Sequence, residues 1–514
     1  MNNKQPYIGI TIGPISKAFA NVRRTRELWA ASFVFSHLMR EIILKIGIDG
    51  YNDDAFNMDE STTKMLIERR KDDFIVPNIE NERLWEKKTG IGFFPDRIIF
   101  KSKLGDFEKV QNAVNQALEE LAKEFKDCKR EDSIFAIKNF FKVFFIEIEI
   151  EKTDNPIKAL AHHLDVLELQ DNPVSNKHEK LIFDFFERVN QNGFAEKHLQ
   201  NKRFKSLVEI STEGLSKLPN LPKIIEKGDR KNDEKLEFSF IEELRKIAGK
   251  QFKTYHKYIA IVKVDGDSFG TYLKGLNHEK LKEFHQKISS WGFETKDIIQ
   301  KFGGVPIYIG GDDILFFAPV CNELQSSNIL SLCNEINALF ENKLGKEVTL
   351  SFGISISYYK FPLYEALEAS EELLSMAKAK VGKNSIAIRV LKHSGNYFES
   401  VFPTSKPLYK DNFMSLMAAL EEDNLLLSSV AFKLFSHKSV LDSIAKDGVR
   451  FSNFIDNYFN ESVHNEKGKV SFLNQIKAII PLIYAENDAE TARKEVYSIL
   501  RIAKFIKGLD YDDK

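Results

Sequence analysis

Cysteine and tryptophan are scarce in this 514-residue chain, with three of each. Cys128, Cys321 and Cys333 form no Cys-x-x-Cys pair, which argues against a zinc ribbon or a disulfide framework, so no zinc is expected. Cys333 falls on an apolar helical face with Ile329, Leu332, Ile336, Leu339 and Phe340, the setting of a buried core thiol. An excess of either charge is also missing. The chain carries 74 basic and 75 acidic residues, a net charge of −1. That balance excludes a surface coated with basic charge for nucleic acid, but not local basic tracks. No apolar run approaches the roughly 18 residues of a transmembrane helix. The apolar stretch Tyr7 to Ile12 meets Gly13-Pro14 too soon for a signal peptide. The expectation is a cytoplasmic chain with no membrane partner.

Core-forming residues are plentiful. Hydrophobic residues make up 43% of the chain and phenylalanine alone contributes 42. The length suggests three to four domains at about 100–200 residues each. Tyr7 to Ile12 reads as a strand, Ser16 to Ile46 as one long helix, Arg97 to Lys101 as a strand, Phe107 to Phe125 as a helix and Val143 to Ile150 as a half-buried strand. That order predicts a ferredoxin-like α+β unit over 1–152. Residues 153–252 read as a charged helical connecting domain, broken at Pro219, Pro222 and Lys227-Gly228-Asp229. Within it, Lys197, Lys202, Arg203 and Lys205 form a basic stretch that is either a solvated helix face or a local basic track. A second α+β unit is predicted over 253–395: strand Tyr258 to Val264, helix Glu279 to Lys301, a hairpin, helix Ser327 to Leu344, strand Val348 to Ser357, helix Leu363 to Lys380 and strand Ser385 to Leu391. Two copies of one architecture follow, alike in pattern rather than in residue identity. Residues 396–514 read as a helical bundle, with faces such as Phe413, Leu416, Met417, Leu420 and Ile476, Ile479, Ile480, Ile483.

Chemistry concentrates in the second unit. Ile307-Tyr308-Ile309 and Ile314-Leu315-Phe316-Phe317 flank Gly310-Gly311-Asp312-Asp313, a hairpin whose tip projects two carboxylates. The strand Ile259 to Val264 ends in Asp265-Gly266-Asp267-Ser268-Phe269-Gly270. In a ferredoxin-like sheet of order 4-1-3-2 the end of strand 1 lies beside the start of strand 3. Asp265 is therefore expected next to Asp312 and Asp313, although 47 residues separate Asp265 from Asp312 in sequence. Three converging carboxylates suit two Mg²⁺ or Mn²⁺ ions on the oxygens of a nucleoside triphosphate. The amides from Gly266 to Gly270, with Gly310 and Gly311 beside them, suit phosphates. Lys378 and Lys383 are candidates to neutralise the triphosphate, or else ordinary surface-helix lysines.

These stretches resemble the palm domains of nucleotide cyclases and polymerases. Val348 to Ile354, and Met376-Ala377-Lys378 through Gly382-Lys383-Asn384, look like the corresponding parts of GGDEF-type cyclases. A narrower resemblance, running from about residue 7 to 395, is to the large subunit of type III CRISPR effector complexes, in its Cmr branch. It rests on Ile10-Thr11-Ile12-Gly13-Pro14-Ile15, Arg24-Thr25-Arg26-Glu27-Leu28-Trp29-Ala30-Ala31-Ser32, Val76-Pro77-Asn78, Phe94-Pro95-Asp96-Arg97 and His393-Ser394-Gly395. The resemblance implies two palms in a complex with other protein subunits and a guide CRISPR RNA. Pairing with target RNA would switch on synthesis of an adenylate from ATP: a cyclic oligoadenylate, or AMP joined to S-adenosylmethionine. Asp265, Asp312 and Asp313 carry over as catalytic metal ligands.

The chain departs from that pattern in two ways. It has no His-Asp dipeptide, and its nearest cluster, His162-His163 with Asp165, falls in a helical segment, so no HD-type DNA cleavage is expected. It also lacks the four cysteines of the zinc site in many relatives. Where the second unit has Asp265-Gly266-Asp267, the first is expected to have Gly13-Pro14-Ile15, making the first palm non-catalytic but suited to an acceptor nucleotide. Arg23, Arg24 and Arg26 are either phosphate or partner contacts, or an exposed basic turn. The competing functions are a stand-alone nucleotide cyclase and a catalytically silent scaffold subunit.

Overall fold

The computed structural model describes residues 3–509, except 20–21, 49–59, 87, 126–127, 171–173, 190, 192, 200–203, 217, 219–229, 323–325, 405–406, 421–423 and 460–466. Lys202, Arg203 and the expected helix breaks at Pro219, Pro222 and Lys227-Gly228-Asp229 lie outside the described residues. Of the remaining basic stretch, Lys197 pairs with Glu124, and Lys205 with Glu213 at 2.7 Å.

The first sheet is built from β1 (Lys4–Gly13), β2 (Phe74–Val76), β3 (Arg97–Lys101) and β4 (Lys142–Glu151), in the order β2-β3-β1-β4. All its pairings are antiparallel. The stretch read as one helix from Ser16 to Ile46 is two, Ile15–Phe19 and Thr25–Gly47. The run Leu28 to Ile46 is apolar on nearly every side, and the longer helix is buried almost throughout.

The second sheet contains β5 (Tyr258–Asp267), β6 (Val305–Gly310), β7 (Asp313–Pro319), β10 (Thr349–Tyr358), β11 (Ser385–Leu391) and β12 (Tyr397–Pro403), while β8 (Cys321–Asn322) and β9 (Ser327–Asn328) pair separately. Its order is β12-β11-β10-β5-β7-β6. The four strands β10-β5-β7-β6 repeat the first sheet's arrangement, the 4-1-3-2 order expected from the sequence. The helix Leu363–Ala379 crosses over to β11, which pairs parallel with β10. The sheet then continues into β12, so the expected wholly helical tail after 395 begins only at Pro407. Tyr397 to Pro403 alternates exposed or half-buried with buried residues, a two-residue period hidden by a buried Ser400 and by Tyr397 and Val401 on the outward face. Beyond it, Phe413, Leu416, Met417 and Leu420 are buried, as are Ile476, Ile479, Ile480 and Ile483. Cys333 is fully buried, and burial pushes its thiol well above the usual range.

The helix His278–Phe302 packs on β6 and β7 of the second sheet and also meets β2 of the first. Phe93 packs on Phe293 at 4.3 Å, Arg83 lies over the same ring at 4.7 Å, and Asn81 donates to Ser289 at 3.0 Å. The amide of Ile309 donates to the carbonyl of Gly92 at 3.0 Å, stitching β6 onto a loop of the first unit.

Candidate active site

The carboxylates are positioned by register. β5 and β7 pair from Ile259–Pro319 to Val264–Ile314, so the next pair along is Asp265 and Asp313. β6 and β7 close with Gly310 opposite Asp313, leaving Gly311 and Asp312 as a two-residue loop. Gly311 has φ +76, the left-handed geometry that the first loop position of a type II′ hairpin demands. Behind the tip, a side chain on Gly266 would run into the Asp312 carboxylate, so glycine there lets β5 and the hairpin close on each other.

Asp312 and Asp313 keep some solvent contact but are surrounded by protein. Desolvation, with Asp265 and Asp313 beside it, pushes the Asp312 carboxyl up to about 8. Desolvation pushes Asp313 up to about 7, against the pull of Lys263. The Tyr308 hydroxyl donates to both oxygens of Asp313, at 3.0 and 2.9 Å. Lys378 pairs with Asp265 and also donates to the Gly266 carbonyl at 3.2 Å. Lys263 pairs with Glu371; burial opposes its charge, but Asp313 and Glu371 outweigh that and its pKa is raised. Among the described residues no three His, Cys, Asp or Glu side chains form a closed metal-ligating set. The reason is visible: Asp265 is turned to Lys378 and Asp313 is clasped by Tyr308. The donor set nevertheless fits a hard divalent cation, since Asp265, Asp312, Asp313 and Glu371 outnumber the two lysines beside them, Lys263 and Lys378.

The phosphate-loop candidates divide. Ser268 sits at φ +57 and accepts from the Lys383 ammonium at 3.1 Å. Gly382, Lys383 and Asn384 are consecutively left-handed, a strained turn pressed against the loop after β5. Asp267 takes another role. Its carboxylate accepts from Thr349 at 2.7 Å, Ser351 at 2.8 Å and the Asn384 amide at 2.8 Å, so it anchors that strained turn and offers a nucleotide no free side-chain oxygen. Phe269, Gly270, Gly310 and Gly311 border a cavity of about 360 Å³ that runs from Asp312 between the two units, with Pro77 and Phe93 on its far wall. Lys263, Tyr308 and Glu371 were missed in the sequence. The alternation along β5 puts Lys263 on the face of Asp265, which was the one available signal.

The first sheet has a counterpart. β1 and β5 are both ten residues long, as are β4 and β10. Laid end to end, they put Thr11 where Asp265 stands, and the Thr11–Arg97 pair where Asp265 meets Asp313. The segment matching Asp265-Gly266-Asp267 is therefore Thr11-Ile12-Gly13, two residues before the expected Gly13-Pro14-Ile15. Asp96 occupies the position of Asp312. The Glu168 carboxylate accepts from Thr11 at 2.5 Å and from Arg97 at 2.9 Å, while Arg97 also reaches Asp165 at 2.7 Å. Asp165, next to His162-His163, is thus engaged in an ion pair. Arg23, Arg24 and Arg26 lie where the helix Thr25–Gly47 begins, and none borders the cavity at Asp312.

The fold and its paired carboxylates define a two-palm protein of the nucleotidyltransferase type. Residues 7–127 match the family described as CRISPR-associated protein Cmr2, N-terminal, and residues 258–387 match Cas10/Cmr2, second palm domain. The two matches, one in each palm, support a large subunit of the Cas10/Cmr2 type, in its type III-B branch. It is 32% identical over 173 residues to the CRISPR system Cmr subunit Cmr2 of Pyrococcus furiosus, a match covering 28% of this chain and 20% of that protein. Among solved structures it is similar to type III-B Cmr-beta in its apo state, at TM-score 0.60 and 11% identity, over 97% of this chain and 82% of the other. Cmr-beta bound to cognate target RNA matches at TM-score 0.57 and 11% identity, over 97% and 83%. The Csm1-Csm4 subcomplex of the type III-A CRISPR-Csm interference complex matches at 0.54 and 14%, over 98% and 70%. Among the described residues no helix is long and apolar enough to cross a membrane.

Proposed function

We propose that this chain is the nucleotidyltransferase subunit of a cytoplasmic, guide-RNA-directed type III effector complex. On target RNA binding it makes an adenylate second messenger from ATP in antiviral defence, either a cyclic oligoadenylate or AMP conjugated to S-adenosylmethionine. The reading is carried by one observation, the convergence of Asp265 with the Asp312-Asp313 tip beside Lys378. The partners, other protein subunits and RNA, are supported by the family and by relatives whose structures include Csm4 or cognate target RNA.

Mg²⁺ or Mn²⁺ bound by these aspartates would supply charge neutralisation on the triphosphate and acidify the attacking 3′-hydroxyl. The chain's own residues do the rest. Lys378 exchanges Asp265 for a phosphate oxygen as the nucleotide enters. Lys383 and the amides around Ser268 hold the outer phosphates, in a turn that Asp267 keeps in shape. Tyr308 orients Asp313. The first palm, with Arg97 and Thr11 in place of two aspartates, performs no chemistry and presents the acceptor.

The test is product analysis by mass spectrometry. The complex is assembled with guide RNA and given matched target RNA, Mg²⁺ or Mn²⁺ and ATP, with and without S-adenosylmethionine. A target-dependent adenylate that vanishes with Asp312→Ala/Asp313→Ala is the expected result. No product from an intact complex would leave a scaffold subunit, and product without RNA a stand-alone cyclase.

A further inference from the structure

We propose that His285 reads the base of the nucleotide whose phosphates lie at the Asp312 tip. The identity of that ligand rests on the nucleotidyltransferase reading above. His285 lies on the helix His278–Phe302, 9% exposed, and is one of the residues lining the cavity that ends at Gly311 and Asp312. Its buried Nε2 has no hydrogen-bond partner among the described residues. Other polar groups in that wall have partners: the Asn78 oxygen accepts from the Glu80 amide at 2.8 Å, Ser289 accepts from Asn81 at 3.0 Å, and Arg97 pairs with Asp165 and Glu168.

Burial pushes the imidazole down to about 4, so at neutral pH it is uncharged and carries one N–H donor and one bare acceptor nitrogen. A half-turn of the ring exchanges the edge facing the cavity. Leaving such a group unpaired inside a protein is destabilising, and a ligand that completes its bonding relieves that cost. The wall around it includes the apolar side chains of Phe269, Leu273, Ile288 and Phe293. A planar heteroaromatic base fits there, ring against apolar side chains and polar edge against His285. A sugar or a peptide would bury hydroxyls or amides against the same apolar wall without partners.

The experiment measures equilibrium binding of α,β-methylene-ATP with Mg²⁺ to the full chain. Matching analogues lack the exocyclic amine, or carry carbon at ring position 1 or 7. The variants are His285→Phe, which keeps the ring and loses the hydrogen bonds, and His285→Gln, which restores a donor and an acceptor. At least one analogue should bind the wild-type chain about tenfold more weakly than the parent, the scale of one lost hydrogen bond to a buried group. His285→Phe should bind parent and analogue alike, and His285→Gln should recover part of the difference. His285→Phe should also melt no lower than wild type without nucleotide. Unchanged discrimination in His285→Phe, with parent binding intact, would make His285 a core residue and leave the nucleotidyltransferase reading standing. No binding of the parent to the wild-type chain would overturn both.

Discussion

The two palm sheets share the order of four strands and the lengths of two of them, yet their equivalent corners carry different charge patterns. In the second, Asp265, Asp312 and Asp313 face one another and the compensating group is a cation, Lys378. In the first, Arg97 and Thr11 occupy two of the three places and the compensating group is an anion, Glu168. One corner holds surplus negative charge at a cost to its own stability. The other pairs Arg97 with Asp165 and Glu168, and beside them burial raises the carboxyl of Asp96. A fold repeated with the same backbone thus separates a site poised for a divalent cation from one that supplies its own counter-ion. This is the trade between activity and stability drawn inside one chain.

The largest expected break in this comparison comes from the aspartates themselves. Asp313→Ala should lower adenylate synthesis by about 10³-fold or more, the loss of several kcal/mol of charge stabilisation. Asp96→Ala, at the matching corner of the first palm, should leave the rate within a few-fold. Equal losses in the two variants, measured in the same complex, would mean that both corners do chemistry.

Lys378→Ala should come next. It removes the counter-charge of Asp265, so the metal-free chain should melt lower than wild type, and saturating Mg²⁺ should recover most of that difference. The value of kcat/KM should fall about 10²-fold, mainly through KM for ATP, because a phosphate contact is lost. A variant whose melting is equally depressed with and without Mg²⁺ would show that Lys378 serves packing alone.

The pH dependence has a definite sign. Carboxyls raised to about 8 and about 7 bind protons in the folded chain that the unfolded chain has released, so stability falls as pH rises from about 4 towards 8. Asp312→Asn removes that liability. The variant should melt close to wild type at pH 4 and progressively higher than wild type by pH 8, while losing activity. The reverse trend would mean that Asp312 is ionised and satisfied in the free chain.

Much of this was legible in the sequence because the second palm is locally consistent. Continuous apolar runs marked β5 and β7, Gly-Gly marked the hairpin, and the 4-1-3-2 order then brought Asp265 to the tip. What escaped has physical reasons. β2 is three residues long, too short for a period to register. Tyr308 looked like one more apolar strand residue, and only tertiary contact turns its hydroxyl to Asp313. Asp267 had the form of a phosphate-loop acid until Thr349, Ser351 and Asn384, all more than 80 residues away, took its oxygens. The match between palms was misjudged by two residues because Gly13-Pro14 imitates a turn, whereas β1 runs through to Gly13 in register with β4.

The smallest effect tests that register directly. Arg97 bridges Asp165 and Glu168 where the second palm has Asp313, but the three side chains are roughly a third to a half exposed, so solvent screens the network. Arg97→Ala should cost about 1 kcal/mol of stability, in the range of exposed ion pairs, and the loss should shrink in high salt. Arg97→Asp is the sharper variant. It sets an aspartate beside Asp96 at the position of Asp313 and against Glu168, without a lysine to match Lys378. It should destabilise the chain more than Arg97→Ala at pH 8, and the gap should narrow towards pH 4 as carboxylates take up protons. Thermal melts of both variants at the two pH values decide it. Equal destabilisation at pH 8 would mean that the first corner is not the charge-inverted image of the second.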